Sequence, residues 1–331
     1  MTGPEPRANP LLFGHAAAEA VIAGAVQAGR IHHAWLITGP AGVGKATLAY
    51  RFARTLLAGA TAPNDPVSPV FRRVAMGTHA DLLTVELAWN EKTKRLRTEI
   101  VVDDARGITD FLRLTPAEGG WRVVVVDGAE HQNRNAANAL LKMLEEPPAR
   151  AVLLLACAAP GRLLPTIRSR CRRLRLDRLG PADMARALAA CLPELDGDAR
   201  DRLALLAEGS PGRAMVLAEE QGVAIGALVA DVLRQAPEVP AARAYEIADR
   251  LARSEGGFST FMAMLRQAVG AAVRGVARGQ GDAGQRRLVA TRPLAEWGEV
   301  WHALSRLQDE TERFNLDKRH AIVSGLDLLN T

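Results

Sequence analysis

His33-Ala34-Trp35-Leu36-Ile37-Thr38 runs directly into Gly39-Pro40-Ala41-Gly42-Val43-Gly44-Lys45-Ala46, and these residues decide the fold. The first six read as a short apolar strand. The next eight follow the pattern G-x-x-x-x-G-K-[ST], with alanine in the last place. A helix is expected from about Lys45 to Leu57, so the loop sits between strand and helix, as a phosphate-binding loop requires. Backbone N–H groups of such a turn, together with a helix N-terminus, form an anion site. Lys45 adds a positive charge for the β- and γ-phosphates. Ala46 lacks the hydroxyl that would hold Mg²⁺. Thr47 is adjacent, but one residue further along turns its side chain by roughly 100° around the helix, which makes it a poor substitute. Gly39, Gly42, Gly44, Lys45 and Thr47 are therefore candidate nucleotide-binding residues, with ATP or ADP as the ligand expected.

The flanking sequence alternates strand and helix patterns. Residues 15–30 read as a helix and Asp81–Leu87 as a strand. Residues 58–69 carry three prolines and read as a loop, and Asn90–Thr98 is charged and turn-like. A helix is expected from about Asp103 to Leu114. Trp121–Asp127 reads as a buried strand of a parallel sheet. Asn133–Glu146 reads as a helix that Pro147-Pro148 stops. Ala151–Ala156 and Arg172–Leu176 read as further strands. Alternation of this kind implies an α/β domain with a parallel sheet covered on both faces. Strand patterns end after about Asp177. The expected organisation is a nucleotide-binding domain over 1–178, a small helical lid over 179–238 and an all-α domain over 239–331. In the last part, helices should break at Pro237/Pro240, at Gly256-Gly257 and at 279–284.

Asp127 ends the four-valine strand, where an aspartate supports Mg²⁺ beside a bound nucleotide. A carboxylate immediately after it would polarise the attacking water, but Gly128 stands there. Glu130 lies two residues further and reads as a solvated loop carboxylate. Two positions needed for hydrolysis are thus altered, at Ala46 and Gly128.

The 331 residues are 48% apolar and 24% charged, an ordinary balance for a globular protein with real cores. A net charge of +5 over this length points only weakly to a polyanion partner. Cys157, Cys171 and Cys191 form no C-x-x-C pair and suggest a reducing compartment. No apolar signal segment begins the chain, and its longest apolar run, Ala151–Pro160, is about half a membrane span. A cytoplasmic protein without membrane association is expected.

Five arginines fall between 168 and 175. Most read as a solvated basic edge. Arg170, within Ser169-Arg170-Cys171, follows the strand expected beside the nucleotide. An arginine presented at a domain edge can reach a neighbouring subunit's γ-phosphate and stabilise transition-state charge. Its planar, permanently charged fork suits that role.

These motifs carry a resemblance. His33–Ile37 with the glycine loop, Gly77-Thr78-His79-Ala80-Asp81-Leu82-Leu83, Ala136–Pro148, Ser169-Arg170-Cys171 and Gly209-Ser210-Pro211-Gly212-Arg213-Ala214 resemble, in order, the AAA+ subunits of bacterial DNA polymerase III clamp loaders. The delta-prime type is the most similar. The C-terminal third matches only as a helical collar. The resemblance implies an open ring of five subunits joined through collar domains. ATP binding lets the ring hold the sliding clamp, and primer-template DNA triggers hydrolysis in the tau/gamma motor subunits. It implies a stator that does not hydrolyse ATP, with tau/gamma and delta as partners, and with Arg170 as the catalytic residue supplied in trans.

Some residues depart from the family pattern. Many relatives carry four zinc-binding cysteines in the segment corresponding to residues 58–76. There are none here, so no zinc site is expected. Cys157 and Ala158 stand where the family's sensor residue is usually threonine. Gly212 occupies the place of the motor subunits' lid arginine, with Arg213 next to it. Two other readings stay open: an active tau/gamma-like ATPase, and a DNA-binding scaffold outside replication.

Overall fold

The computed structural model describes residues 4–59, 63–90, 95–254 and 256–330. Part of the expected 58–69 loop and the centre of the expected 90–98 turn lie outside them. The chain divides into two compact units, Met1–Met215 and Val216–Thr331. The division falls inside the segment expected to be the lid.

The strands of the first unit are β1 (Ala34–Thr38), β2 (Leu82–Val85), the short hairpin pair β3 (Trp89–Asn90) and β4 (Arg95–Leu96), β5 (Arg122–Asp127), β6 (Ala151–Cys157) and β7 (Arg172–Arg175). Five of them form one sheet in the order β2-β5-β6-β1-β7. Every pairing in it is parallel. The helices of this unit are α1 (Ala16–Gln27), α2 (Lys45–Ala58), α3 (Pro69–Ala75), α4 (Val102–Arg113), α5 (Arg134–Glu145), α6 (Pro165–Arg170), α7 (Pro181–Cys191) and α8 (Gly197–Ala207), and the division falls within α9 (Pro211–Glu219).

Residue alternation explains why the central strands are apolar throughout. Successive side chains point to opposite faces. Trp35, Ile37, Val123, Val125, Val152 and Leu154 pack on one face with Leu48, Phe52 and Leu56 of α2. Leu36, Val124, Val126, Leu153 and Leu155 pack on the other with Ile108 of α4 and Leu140 of α5. Each such side chain contributes about 1.5–3 kcal/mol on burial. The sheet is therefore a rigid base, and the loops at its carboxyl edge carry the polar chemistry.

Helix ends follow local signals. Asn133 caps α5, its side-chain oxygen accepting the Ala136 N–H at 2.9 Å, a contact worth about 1 kcal/mol. The expected helix over Asn133–Glu146 is thus α5 with its cap. Trp89–Asn90 pairs with Arg95–Leu96, so the segment read as a turn over Asn90–Thr98 also holds β4 and part of β3.

The second unit is helical: α10 (Gly222–Gln235), α11 (Ala241–Ala252), α12 (Gly257–Ala277), α13 (Ala283–Val289), α14 (Glu296–Phe314) and α15 (Lys318–Asp327). The breaks fall at the Pro237/Pro240, Gly256-Gly257 and 279–284 segments, as the sequence leads one to expect. Phe258, Phe261, Leu265, Trp297 and Ile322 are almost fully buried. Among the described residues, no helix is long and apolar enough to cross a membrane.

Candidate functional site

The glycine loop leaves β1 in the middle of the sheet and closes on α2. Gly42 has φ +74° and Gly44 φ +106°, left-handed conformations that side chains with a Cβ rarely adopt. A cavity of about 250 Å³ lies over the loop. Gly42, Gly44, Lys45, Ala46, Thr47 and Asp127 line it, with Leu11, Phe13 and Met215 among the apolar residues opposite. The structure thus brings most of the candidate nucleotide residues together. Gly39 stands outside the lining, and a Cβ there would strike the Leu176 carbonyl.

Lys45 is buried, and its Nζ donates to the Pro40 carbonyl at 2.7 Å. Burial pulls the Lys45 pKa down, while the charges of Glu130, Asp127 and Cys157 oppose that shift. Burial pushes the Asp127 carboxyl up, against the pull of Lys45. Thr47 is buried. The Ala46 methyl group offers no ligand to a metal ion. Among the described residues, no group of three or more His, Cys, Asp or Glu is placed to hold one.

Glu130 corrects an expectation. It is not a solvated loop carboxylate. Gly128, at φ +77°, leads into a single 3₁₀ turn over Ala129–His131, which swings Glu130 back toward the sheet. Its Oε1 accepts the Ala158 N–H at 2.9 Å. Its Oε2 is buried with no hydrogen-bond partner from the chain. Cys157, also buried, has its thiol pushed up to about 12 by burial first and by Glu130 next. The tight turn was not visible in residue types. Only Gly128, a residue suited to positive φ, hinted at it.

The Gly209–Gly212 turn rests on the glycine loop. Ser210 Oγ donates to the Ala41 carbonyl at 2.8 Å. The Gly212 N–H donates to the Gly42 carbonyl at 2.9 Å. A Cβ on Gly212 would come within 2.8 Å of the Gly42 Cα, so close approach requires glycine at both positions. On the other side, a nitrogen of the His15 ring bonds the Val43 carbonyl at 2.8 Å.

Arg170 stands apart from the cavity. It is the last residue of α6, and its side chain is 36% exposed. Its Nη2 lies 2.8 Å from Glu145 Oε1, and its Nη1 donates to the Thr166 carbonyl at 3.1 Å. Its basic neighbours have other duties. The Arg172 guanidinium covers the Trp35 ring at 4.6 Å, and Arg175 pairs with Asp177 at 2.9 Å.

Residues 14–180 match the family described as "DNA polymerase III, delta subunit", which is half of the chain. The chain belongs to this family, and it is of the delta-prime type. It is 41% identical over 181 residues to DNA polymerase III subunit delta' of Pseudomonas aeruginosa, covering 54% of this chain and 53% of that one. It is 35% identical over 211 residues to DNA polymerase III subunit tau of Escherichia coli, covering 62% of this chain and 31% of that one. The match therefore spans about half the length of the first relative and under a third of the second. A crystal structure of a DNA polymerase III gamma subunit-related protein from Thermotoga maritima superimposes with a TM-score of 0.50 at 19% identity, covering 95% and 98% of the two chains. The fold is that of AAA+ proteins: a P-loop α/β domain followed by a helical C-terminal part.

The family stretch Gly77–Leu83 has a structural basis here. Asp81, almost fully buried, accepts the N–H groups of Ala117 and Glu118 at 2.7 and 3.0 Å and lies 3.6 Å from Arg122. Arg122 in turn donates to the Phe111 and Thr115 carbonyls at 3.1 and 2.7 Å. The motif fastens the loop between α4 and β5. Arg54 is a further residue that sequence reading missed. Fully buried, it donates to the carbonyls of Arg7 and Asn9 and to Asn64, and burial lowers its pKa to about 10. It holds the N-terminal segment against α2.

Proposed function

We propose that this chain is the stator of a DNA polymerase III clamp loader, which helps place the sliding clamp on primer-template DNA. Its partners are the tau/gamma and delta subunits. In this reading the chain binds ATP or ADP without hydrolysing it, and Arg170 completes the ATP site of an adjacent motor subunit. The helices after Asp177 serve as a lid over 179–238 and an oligomerising collar over 239–331.

One contrast carries the reading. The chain's own pocket lacks a metal-binding hydroxyl at Ala46 and a water-polarising carboxylate at Gly128, while Arg170 is presented at an accessible corner. Without Mg²⁺ to neutralise developing charge and a carboxylate to orient water, the two main electrostatic contributions to phosphoryl transfer are weakened. An arginine delivered from a neighbour is worth orders of magnitude in rate in such reactions. Purified chain alone should turn over ATP no faster than a blank, whereas substantial turnover would overturn the stator reading. Arg170→Ala should lower DNA-stimulated ATPase of the reconstituted complex and leave assembly intact.

A second reading, an active motor subunit, draws on the cavity-lining Lys45 and on Glu130, which reaches the sheet edge near it. ATPase of the isolated chain that is lost in Glu130→Gln would favour it.

A further inference from the structure

We propose that Glu145 is the positioning residue for Arg170, holding its guanidinium at the corner from which it meets a neighbour's phosphate. This inference rests on the trans-acting reading of Arg170.

Arginine has a long side chain with many rotamers, and fixing it costs conformational entropy. A group that must meet a phosphate in one geometry gains when that cost is met before the neighbour arrives. Both ends of the contact are set on anchored backbone. α5 ends at Glu145, with Pro147-Pro148 directly beyond. Met143 and Leu144 fasten its last turn in the core. α6 begins with Pro165, and Ile167, fully buried, anchors its single short run. Glu145 and Arg170 therefore leave from two fixed turns and meet at 2.8 Å. The Thr166 carbonyl takes Nη1 at 3.1 Å. Two acceptors on different helices define a plane for the fork, which one backbone carbonyl alone would not.

The contact suits a resting position. Glu145 is half exposed and Arg170 more than a third, and an ion pair so open to water is worth little in stability. Its contribution is orientation. A polyphosphate carries more negative charge than one carboxylate, so a neighbour's nucleotide can draw the fork away while α6 keeps its base in place.

The test is a double-mutant cycle in the reconstituted complex, with Glu145→Ala, Arg170→Ala and the pair, read as kcat and KM of DNA-stimulated ATPase. Assembly is checked by gel filtration. Arg170→Ala is expected to lower kcat tenfold or more. Glu145→Ala should lower it about threefold at unchanged KM, because fewer rotamers are competent. Adding it to Arg170→Ala should cost nothing further. Glu145→Gln, which keeps the shape and removes the charge, carries the same expectation if the alanine variant assembles poorly. Full activity in the Glu145 variants beside a loss in Arg170→Ala would overturn the inference and leave the trans role standing. So would an equal loss from Glu145→Ala with Arg170 already removed. No loss in Arg170→Ala would instead overturn the trans role, and this inference with it.

Discussion

The phosphate loop and the Arg170 corner belong to the same unit, and their charged groups are disposed differently. In the loop, Lys45 is buried and bonded to Pro40 in its own turn. The Gly209–Gly212 turn sits on Ala41 and Gly42 through two hydrogen bonds, and Glu130 is folded inward. At the corner, Arg170 is held by two acceptors and is open to solvent. A guanidinium that faces outward can serve another chain. An ammonium tied to its own loop serves first the loop itself. The comparison locates the useful charge at the edge rather than in the pocket.

Arg170→Lys presses hardest on that comparison. A lysine keeps the charge but not the fork. Its complex should lose tenfold or more of the DNA-stimulated ATPase rate, close to Arg170→Ala. Full activity with lysine would mean that charge alone suffices and that orientation at the corner is unimportant.

Gly212→Ala probes the pocket side. Its Cβ would press on the Gly42 backbone, and overpacking against backbone costs about 1–2 kcal/mol. Urea unfolding of the isolated chain should show that loss. An unchanged midpoint would mean that the turn does not bear on the loop in solution.

Glu130→Gln sharpens the same side with a smaller effect. Glu130 is the leading charge that favours the protonated Lys45, but it is also a negative charge that an incoming phosphate must meet, so removing it lowers that repulsion. ATP or ADP affinity of the isolated chain, measured by calorimetry, should rise about fivefold, or roughly 1 kcal/mol. Unchanged affinity would mean that Glu130 does not act as the counter-charge.

Asp231→Asn, in the helical unit, should have the smallest effect. Hydrogen bonds from Arg243 and then Arg234 hold the Asp231 carboxyl below its ordinary range. A depressed carboxyl contributes stability above its unfolded-state pKa, and that contribution is lost as pH falls through the folded-state value. The pairs are partly open to solvent, so at neutral pH the Tm should fall by no more than about 2 °C. Below the folded-state pKa of Asp231 the two proteins should melt together. A difference that persists there would show that charge is not the cause.

What could be read in the sequence follows the range of the interactions. β1, β5 and β6 were legible because both faces of the sheet are covered, which makes Trp35–Ile37, Val123–Val126 and Val152–Ala156 continuously apolar. The glycine loop was legible because its backbone conformations demand glycine at fixed spacing. The breaks in the helical unit were legible from proline and glycine. Glu130 was misread because its direction depends on one 3₁₀ turn, not on residue type. Three contacts were hidden because they join residues far apart in the chain: Ser210 to Ala41, Arg54 to Arg7 and Asn9, and Arg170 to Glu145. The identity of Arg170 as a candidate was legible, and the carboxylate that holds it was not.

One pair of substitutions tests the central claim most directly: Lys45→Ala and Arg170→Ala, each placed in the reconstituted complex and compared by DNA-stimulated ATPase rate. The account predicts that Lys45→Ala leaves the rate within about twofold of the unmodified complex while Arg170→Ala lowers it tenfold or more. The reverse pattern, a large loss with Lys45→Ala and none with Arg170→Ala, would contradict it.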